Sequence, residues 1–349
     1  MKTKRFNLAI VTLLIIAALV PAGLSQAQDD TVTLTLAAYS VPREAYGDLI
    51  PAFQAYWLEE SGQTVIVQES YQGSGTQSRA VVGGFEADIV SLSVASDVTR
   101  IVDAGLITHD WTENYGGIAT NSLVILAVRP GNPEGIEDWA DIARDGIEVI
   151  TPDPSTSGGA QWNILAAYGA SLRGHVEGYE PTEESSVEFL SQLIENVSVL
   201  DRDARDSYLT FEEGIGDVAI TYENEIFAAL AAGGEVEAVY PSSTILIEAP
   251  IAVVDTYVDA HGTREVAEAF VDFVQSPEGQ RIFLAHGFRP VNPDVIAEIE
   301  ADEELAALFP QVEDVFTIEE QYGGWSEARS LYFGDEGQFT RLIAEVKGQ

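Results

Sequence analysis

The sequence predicts an α/β protein of two lobes with mainly parallel sheets, and three observations carry that expectation. Strand-like and helix-like runs alternate along the chain, as they do where helices connect parallel neighbours. At 349 residues the chain is longer than one ordinary domain. Its 46% apolar content can fill a large core, and no repeat of fixed period points to a solenoid.

Taken in order, the chain opens on a segment set apart from the fold. Lys2, Lys4 and Arg5 precede an apolar run from Asn7 to Val20, and Ser25–Gln26–Ala27 has the small residues of a cleavage site. That pattern predicts a secretory signal over residues 1–27, with the exported protein starting near Gln28. The run is too short for a membrane span, and no later stretch offers about 18 consecutive apolar residues. The expected location is the periplasm or the cell exterior. The chain has no cysteine, so no disulfide and no lipid-bearing thiol follows the signal.

Alternating or continuous apolar runs predict strands at Thr31–Ala38, Gln63–Glu69, Ala87–Val94, Asn121–Val128, Ile147–Thr151, Val197–Asp201, Asp217–Tyr222 and Ile251–Asp255. Helical patterns follow most of them, among them Gln77–Phe85, Ala160–Ser171 and Arg264–Gln275. Arg129–Gly135 and Ala231–Gly234 are turn-forming joints, and Glu298–Leu308 is an acidic helical stretch expected to face solvent.

Charge excludes several classes of partner. Without the signal the chain has 57 acidic residues against 14 basic ones, a formal charge of −43, which disfavours nucleic acid and anionic membrane. Only one lysine, Lys347, remains. Adaptation to salt and plain solubility both account for such a surface. His109, His175, His261 and His286 are scattered, and no HxH, HExxH or CxxC spacing occurs, so no metal or other cofactor is expected.

Three strand-to-helix turns stand out. In "YQGSGTQSRAVV" (71–82), Ser74 sits between Gly73 and Gly75, and with Gln77 it fits an S-x-x-Q capping box, which predicts Ser74 as a helix N-cap. In "VITPDPSTSGGAQWNILAAYG" (149–169), Gly158 and Gly159 fall on the first turn of a helix. In "VLDRDARDSYLTFEEGIGDVAITYENE" (199–225), a helix opens near Ala204. Each turn would present free N–H groups and the positive end of a helix dipole, and flanking glycines let an anion approach the backbone. Any one of them is equally a plain helix cap. The third glycine of a dinucleotide loop, the Gly-Lys-Ser/Thr of a P-loop and the Gly-x-Ser-x-Gly of a nucleophile elbow are all absent.

The segments "SYQGSGTQSRAVVGGFEADIVSLSVASDV", "TPDPSTSGGAQWN", "DARDSYLTFEEGIGDVAITYENE", "ILIEAPIAVVD", "SPEGQRIFLAHGFRPVNP" and "FTIEEQYGGWSEA" together resemble the periplasmic sulfate-binding proteins of ABC importers, and the resemblance spans nearly all of residues 31–345. It implies the two-lobed periplasmic-binding-protein fold of type II, in which the chain crosses twice between lobes around a ligand cleft. The implied division is 28–120 for the first part of lobe 1, 121–246 for lobe 2, and 247–349 for the return to lobe 1 with the C-terminal helices.

Carried over residue by residue, the resemblance implies that a dehydrated oxyanion binds the backbone N–H of Ser40, the backbone and hydroxyl of Ser74, and the N–H groups of Gly158, Gly159 and Ala204. Gly73, Gly75 and Arg205 would support the site. The family's tryptophan donor is replaced here by Tyr222, and its usual aspartate by Ser40. Implied partners are sulfate or a related oxyanion (thiosulfate, molybdate or phosphate), and a membrane permease with its ATPase, served by a monomer.

Sulfate has no proton to donate at neutral pH, so a selective site wants donors only, whereas hydrogen phosphate gains from an acceptor. Tyr71–Gln77 and Ser155–Gln161 contain no acid, but Asp203, Asp206 and Glu223 lie close in sequence to the third turn or Tyr222. Pairing of such acids with Arg202 or Arg205 would preserve a donor-only site. The competing class is a secreted serine enzyme, with Ser74 as nucleophile and His175 or His286 as base.

Overall fold

The computed structural model of the chain describes residues 31–348, and the expected signal segment lies outside the described residues. Ten strands carry the architecture: β1 (Thr31–Tyr39), β2 (Thr64–Gln72), β3 (Ile89–Ser91), β4 (Ile118–Val128), β5 (Val149–Pro152), β6 (Val197–Asp201), β7 (Val218–Tyr222), β8 (Glu237–Val239), β9 (Ser243–Val253) and β10 (Asp314–Phe316). Between the first seven run helices α1 (Arg43–Ser61), α2 (Ser74–Val82), α3 (Ala95–Asp103), α4 (Trp139–Ile142), α5 (Gly158–Leu172), α6 (Glu183–Asn196) and α7 (Ala204–Glu212), with α8 (Glu223–Ala231) directly after β7.

The strand order is β2-β1-β3-β9-β4-β7-β5-β6. β1 pairs in parallel with β2 and β3, forming the first lobe's sheet. β5 pairs in parallel with β6 and β7, forming the second's. Two long antiparallel strands join them: β4 pairs with β9 over Ile118–Leu123 and with β7 over Val124–Val128, while β9 turns to β3 over Ile251–Val253. The lobes are therefore joined through strands that cross twice, as a type II fold requires. The implied boundaries at 120/121 and 246/247 both fall inside these strands.

Period-two alternation sorts the side chains between faces. On β4, Val124, Leu126 and Val128 join the main core while Leu123, Ile125 and Ala127 face a separate cluster with Tyr208 and Phe211. On β1, Leu34, Leu36 and Ala38 go one way and Ala37 the other. The C-terminal stretch packs on lobe 2: Trp325 meets Trp162 edge-on at 4.5 Å, the Tyr322 hydroxyl donates to Leu165 O at 2.6 Å, and Phe339 meets Tyr168 edge-on at 4.9 Å. Arg329 reaches from this stretch to Ser96 O on α3 at 3.2 Å.

The departures from expectation have local causes. β9 begins at Ser243, well before Ile251, because Pro250 and Glu248 mask an apolar run that is paired along its whole length. The acidic stretch 298–308 is broken between two helices, Pro293–Ala301 and Glu303–Leu308, where the Asp302 side chain accepts from Glu304 N and Leu305 N. α2 begins at Ser74 rather than Gln77, with Gly73 and not Ser74 as N-cap, and no side chain caps it. Gln77 is drawn inward instead, donating to Ala38 O at 3.0 Å and Ser70 O at 2.5 Å.

Candidate functional site

The carboxyl ends of the parallel strands define one edge of each sheet, where open α/β sheets offer a crevice. Just beyond those ends in lobe 1 lie Ser40 after β1, Ser74 after β2 and Ser93 after β3. In lobe 2 the corresponding positions are Gly158 and Gly159 after β5, Ala204 after β6, and Tyr222 ending β7. The two sets meet. A Cβ added at Gly159 would stand 2.8 Å from Ala204 Cβ and 3.5 Å from the Tyr222 ring. One added at Gly158 would stand 2.8 Å from Ser93 Cβ and Oγ. Gly73 and Gly75 bring α2 against Thr156 of lobe 2, where added Cβ atoms would lie 2.7 and 3.3 Å from the Thr156 carbonyl oxygen.

Polar contacts across the cleft hold the lobes closed. Ser40 Oγ donates to Asp203 Oδ1 at 2.8 Å, Trp162 Nε1 donates to Ser93 O at 2.9 Å, and the Ser93 and Tyr222 hydroxyls share a hydrogen bond at 2.7 Å. Arg79 Nη1 donates to Ser155 O at 3.3 Å.

Backbone donors remain after these contacts are counted. The first N–H groups of a helix have no intrahelical acceptor. At α5 the Ser157 side chain takes Ala160 N, and at α7 Asp203 takes Arg205 N and Asp206 N. Among the described residues this leaves the N–H groups of Gly158, Gly159 and Ala204 uncommitted, together with those of Ser74 and Gly75 on the uncapped α2. They belong to buried residues on three helix starts.

Most of the nearby acids are engaged, though Glu225 Oε1 and Asp201 Oδ2 are buried without a partner. Glu223 holds Arg289 through two bonds of 2.6 and 2.8 Å. Arg205 binds Glu225 Oε2 at 2.5 Å and reaches across the cleft to Glu44. Burial pushes the Glu225 carboxyl up to about 7 against the pull of Arg205. Asp203 caps α7, and Asp206 pairs with Arg202 at 2.5 Å. Burial also raises the Tyr222 phenol well above its usual range, so it stays protonated.

The Ser74 hydroxyl differs from expectation: it donates to the buried Asp97 Oδ2 at 2.7 Å and accepts from Ser93 N at 3.0 Å, leaving its backbone N–H as the donor. No histidine is hydrogen-bonded to it. His175 lies against Asp314 and His286 against Asp48, so the serine-enzyme arrangement is not assembled. Among the described residues no three His, Asp or Glu are grouped to hold a metal, and no helix is long and apolar enough to cross a membrane. Ser93 and Asp97 were not anticipated. Their signal was a fourth strand-to-helix turn, "SLSVASDV", which lacks the glycines that mark the turns before α2 and α5.

Comparison with known proteins gives consistent likenesses. The family model for bacterial extracellular solute-binding proteins matches residues 34–289. A sulfate-binding protein of Synechococcus elongatus is 43% identical, covering 91% of this chain and 88% of its own length. That of Escherichia coli is 39% identical, with 89% and 93% covered. A thiosulfate-binding protein of Pseudomonas aeruginosa is 35% identical, with 94% and 98% covered. Among solved structures, the sulfate-binding protein SubI from Mycobacterium tuberculosis superposes with a TM-score of 0.78 at 39% identity, covering 86% of this chain and 99% of that one.

Proposed function

This chain belongs to the bacterial extracellular solute-binding proteins, among the sulfate-binding proteins, and from that premise we propose that it captures sulfate between its lobes and delivers it to the membrane permease of an ABC importer. A separate ATPase drives that importer. The chain acts as a monomer after export and cleavage of the segment 1–27, and it binds its ligand without turning it over.

One observation carries the assignment of the site: uncommitted N–H groups from α2, α5 and α7 converge in a buried cleft whose acids are nearly all engaged. In this reading the ligands are the backbone N–H groups of Ser40, Ser74, Gly158, Gly159 and Ala204 and the hydroxyl of Tyr222. Gly73 and Gly75 allow the close approach, and Arg205 neutralises Glu225. Such a site gives a proton-free dianion charge-assisted hydrogen bonds and spends no cationic side chain on it. Six of them, at about 1.5–3 kcal/mol each, total on the order of 10–20 kcal/mol before desolvation and lost freedom. Micromolar affinity needs only about 8 kcal/mol net.

Calorimetry against sulfate, thiosulfate, molybdate and phosphate tests the proposal. Sulfate is expected to bind one-to-one, unaffected by chelator, and to raise the melting temperature by mass action. Absence of both heat and a melting shift with sulfate, in protein stripped of ligand, would remove the function. Thiosulfate binding more tightly than sulfate would move the assignment to that anion.

A further inference from the structure

We propose that Ser93 and Tyr222 act as one reversible hydroxyl pair at the cleft, so that this site holds a protonated tetrahedral oxyanion, with hydrogen phosphate as the probe, as well as proton-free sulfate. The proposal rests on the anion-cleft reading above and concerns its selectivity.

Ser93 is fixed on every side. Its N–H donates to Ser74 Oγ at 3.0 Å, its carbonyl accepts from Trp162 Nε1 at 2.9 Å, and its Cβ and Oγ abut Gly158. Its hydroxyl lies 2.7 Å from that of Tyr222, both groups are buried, and either can be the donor. Two hydroxyls carry two hydrogens and share one bond, so one hydrogen is always left over.

Facing sulfate, Ser93 donates to Tyr222 and Tyr222 donates to the anion. Facing hydrogen phosphate, the bond reverses: Tyr222 donates to Ser93, the phenol oxygen accepts the anion's hydrogen, and Ser93 turns its own hydrogen to another anion oxygen on the Gly158 side. A donor-only group such as an indole N–H cannot make the second arrangement. The neighbouring carboxylates offer little competition. Asp97 accepts from Ser74 and Arg100, Asp203 from Ser40 and its cap, Glu223 from Arg289, and Glu225 Oε2 from Arg205. Among these groups only Glu225 Oε1 is buried without a hydrogen-bond partner.

The experiment titrates the exported chain with sulfate and with hydrogen phosphate at one pH and salt. The proteins are the wild type, Ser93→Ala, Tyr222→Phe, the double variant and Glu225→Gln, with melting curves to confirm folding. The wild type is expected to bind both anions. Ser93→Ala should keep sulfate affinity within about threefold and weaken hydrogen phosphate about tenfold, because the phenol hydrogen would then be buried without an acceptor whenever the oxygen accepts. In the Tyr222→Phe background, Ser93→Ala should leave the ratio of affinities unchanged. Tyr222→Phe alone must cost hydrogen phosphate more than sulfate, which tests the pair even if Ser93→Ala does not fold. Failure of the wild type to bind sulfate strikes the anion-cleft reading itself. Sulfate binding without hydrogen-phosphate binding, or a ratio that Ser93→Ala leaves unchanged, overturns the pair alone. A ratio that responds to Glu225→Gln and not to Ser93→Ala assigns the acceptor to Glu225 and also overturns it.

Discussion

Tyr222 carries the sharpest consequence at the scale of a single residue. It is fully buried where β7 ends, and desolvation keeps its phenol protonated, so it can serve as a neutral donor to an anion. If it donates to sulfate, Tyr222→Phe should weaken binding by about 1.5–3 kcal/mol, roughly tenfold or more. Tyr222→Trp should retain much of the sulfate affinity while rejecting hydrogen phosphate better, since an indole donates but does not accept. Calorimetry at fixed pH and salt decides, and unchanged sulfate affinity in the phenylalanine variant would take Tyr222 out of the site. The position of Tyr222 at a strand end was legible from the alternation in "GDVAITY". Its partner Ser93 was not, because the two hydroxyls meet across 129 residues of chain and nothing local to either announces the other. The same blindness applied to Ser74. Its spacing from Gln77 matched a capping box, yet tertiary acceptors, Asp97 for the serine and Ala38 O for the glutamine, outcompeted the local cap.

Among the elements, the three helix starts are where local signals and the proposed site coincide, since the glycines and small polar residues that end a strand and open a helix also expose N–H groups. Thus α5 begins at Gly158 and α7 at Ala204, where the turn chemistry predicts them. The long strands β4 and β9 were harder to delimit, because their pairing partners change midway and only the assembled sheet reveals the switch. Gly159 tests the element-level argument. With Ala204 Cβ only 2.8 Å from where its own Cβ would be, Gly159→Val must push the α5 start away from α7 as well as fill the approach to the N–H groups. Sulfate binding should therefore fall at least a hundredfold, roughly 2.7 kcal/mol. The overpacking itself should destabilise the fold by about 1–3 kcal/mol. A folded Gly159→Val with full affinity would reduce the α5 start to a plain helix cap.

Over the whole molecule, charge and ligand are in opposition. With 57 acidic and 14 basic residues after position 27, the chain repels a dianion at long range, while the proposed cleft would attract it through dipoles that act only at contact. Salt separates the two terms. The screening length falls from about 30 Å at 0.01 M to about 8 Å at 0.15 M, which suppresses repulsion from the outer surface but barely reaches hydrogen bonds inside a closed cleft. Sulfate association should therefore quicken several-fold as sodium chloride rises over that range, with little change in dissociation. A site built on lysines or arginines would behave in the opposite way, because salt would screen its attraction. The rim does carry cations, but they are committed: Arg202 to Asp206, Arg205 to Glu225 and Glu44, and Arg79 to the Ser155 carbonyl. Stopped-flow measurements of sulfate binding at several chloride concentrations decide between them. If association slows with salt, these arginines steer the anion in spite of the surface, and a capture mechanism without cationic side chains would have to be abandoned.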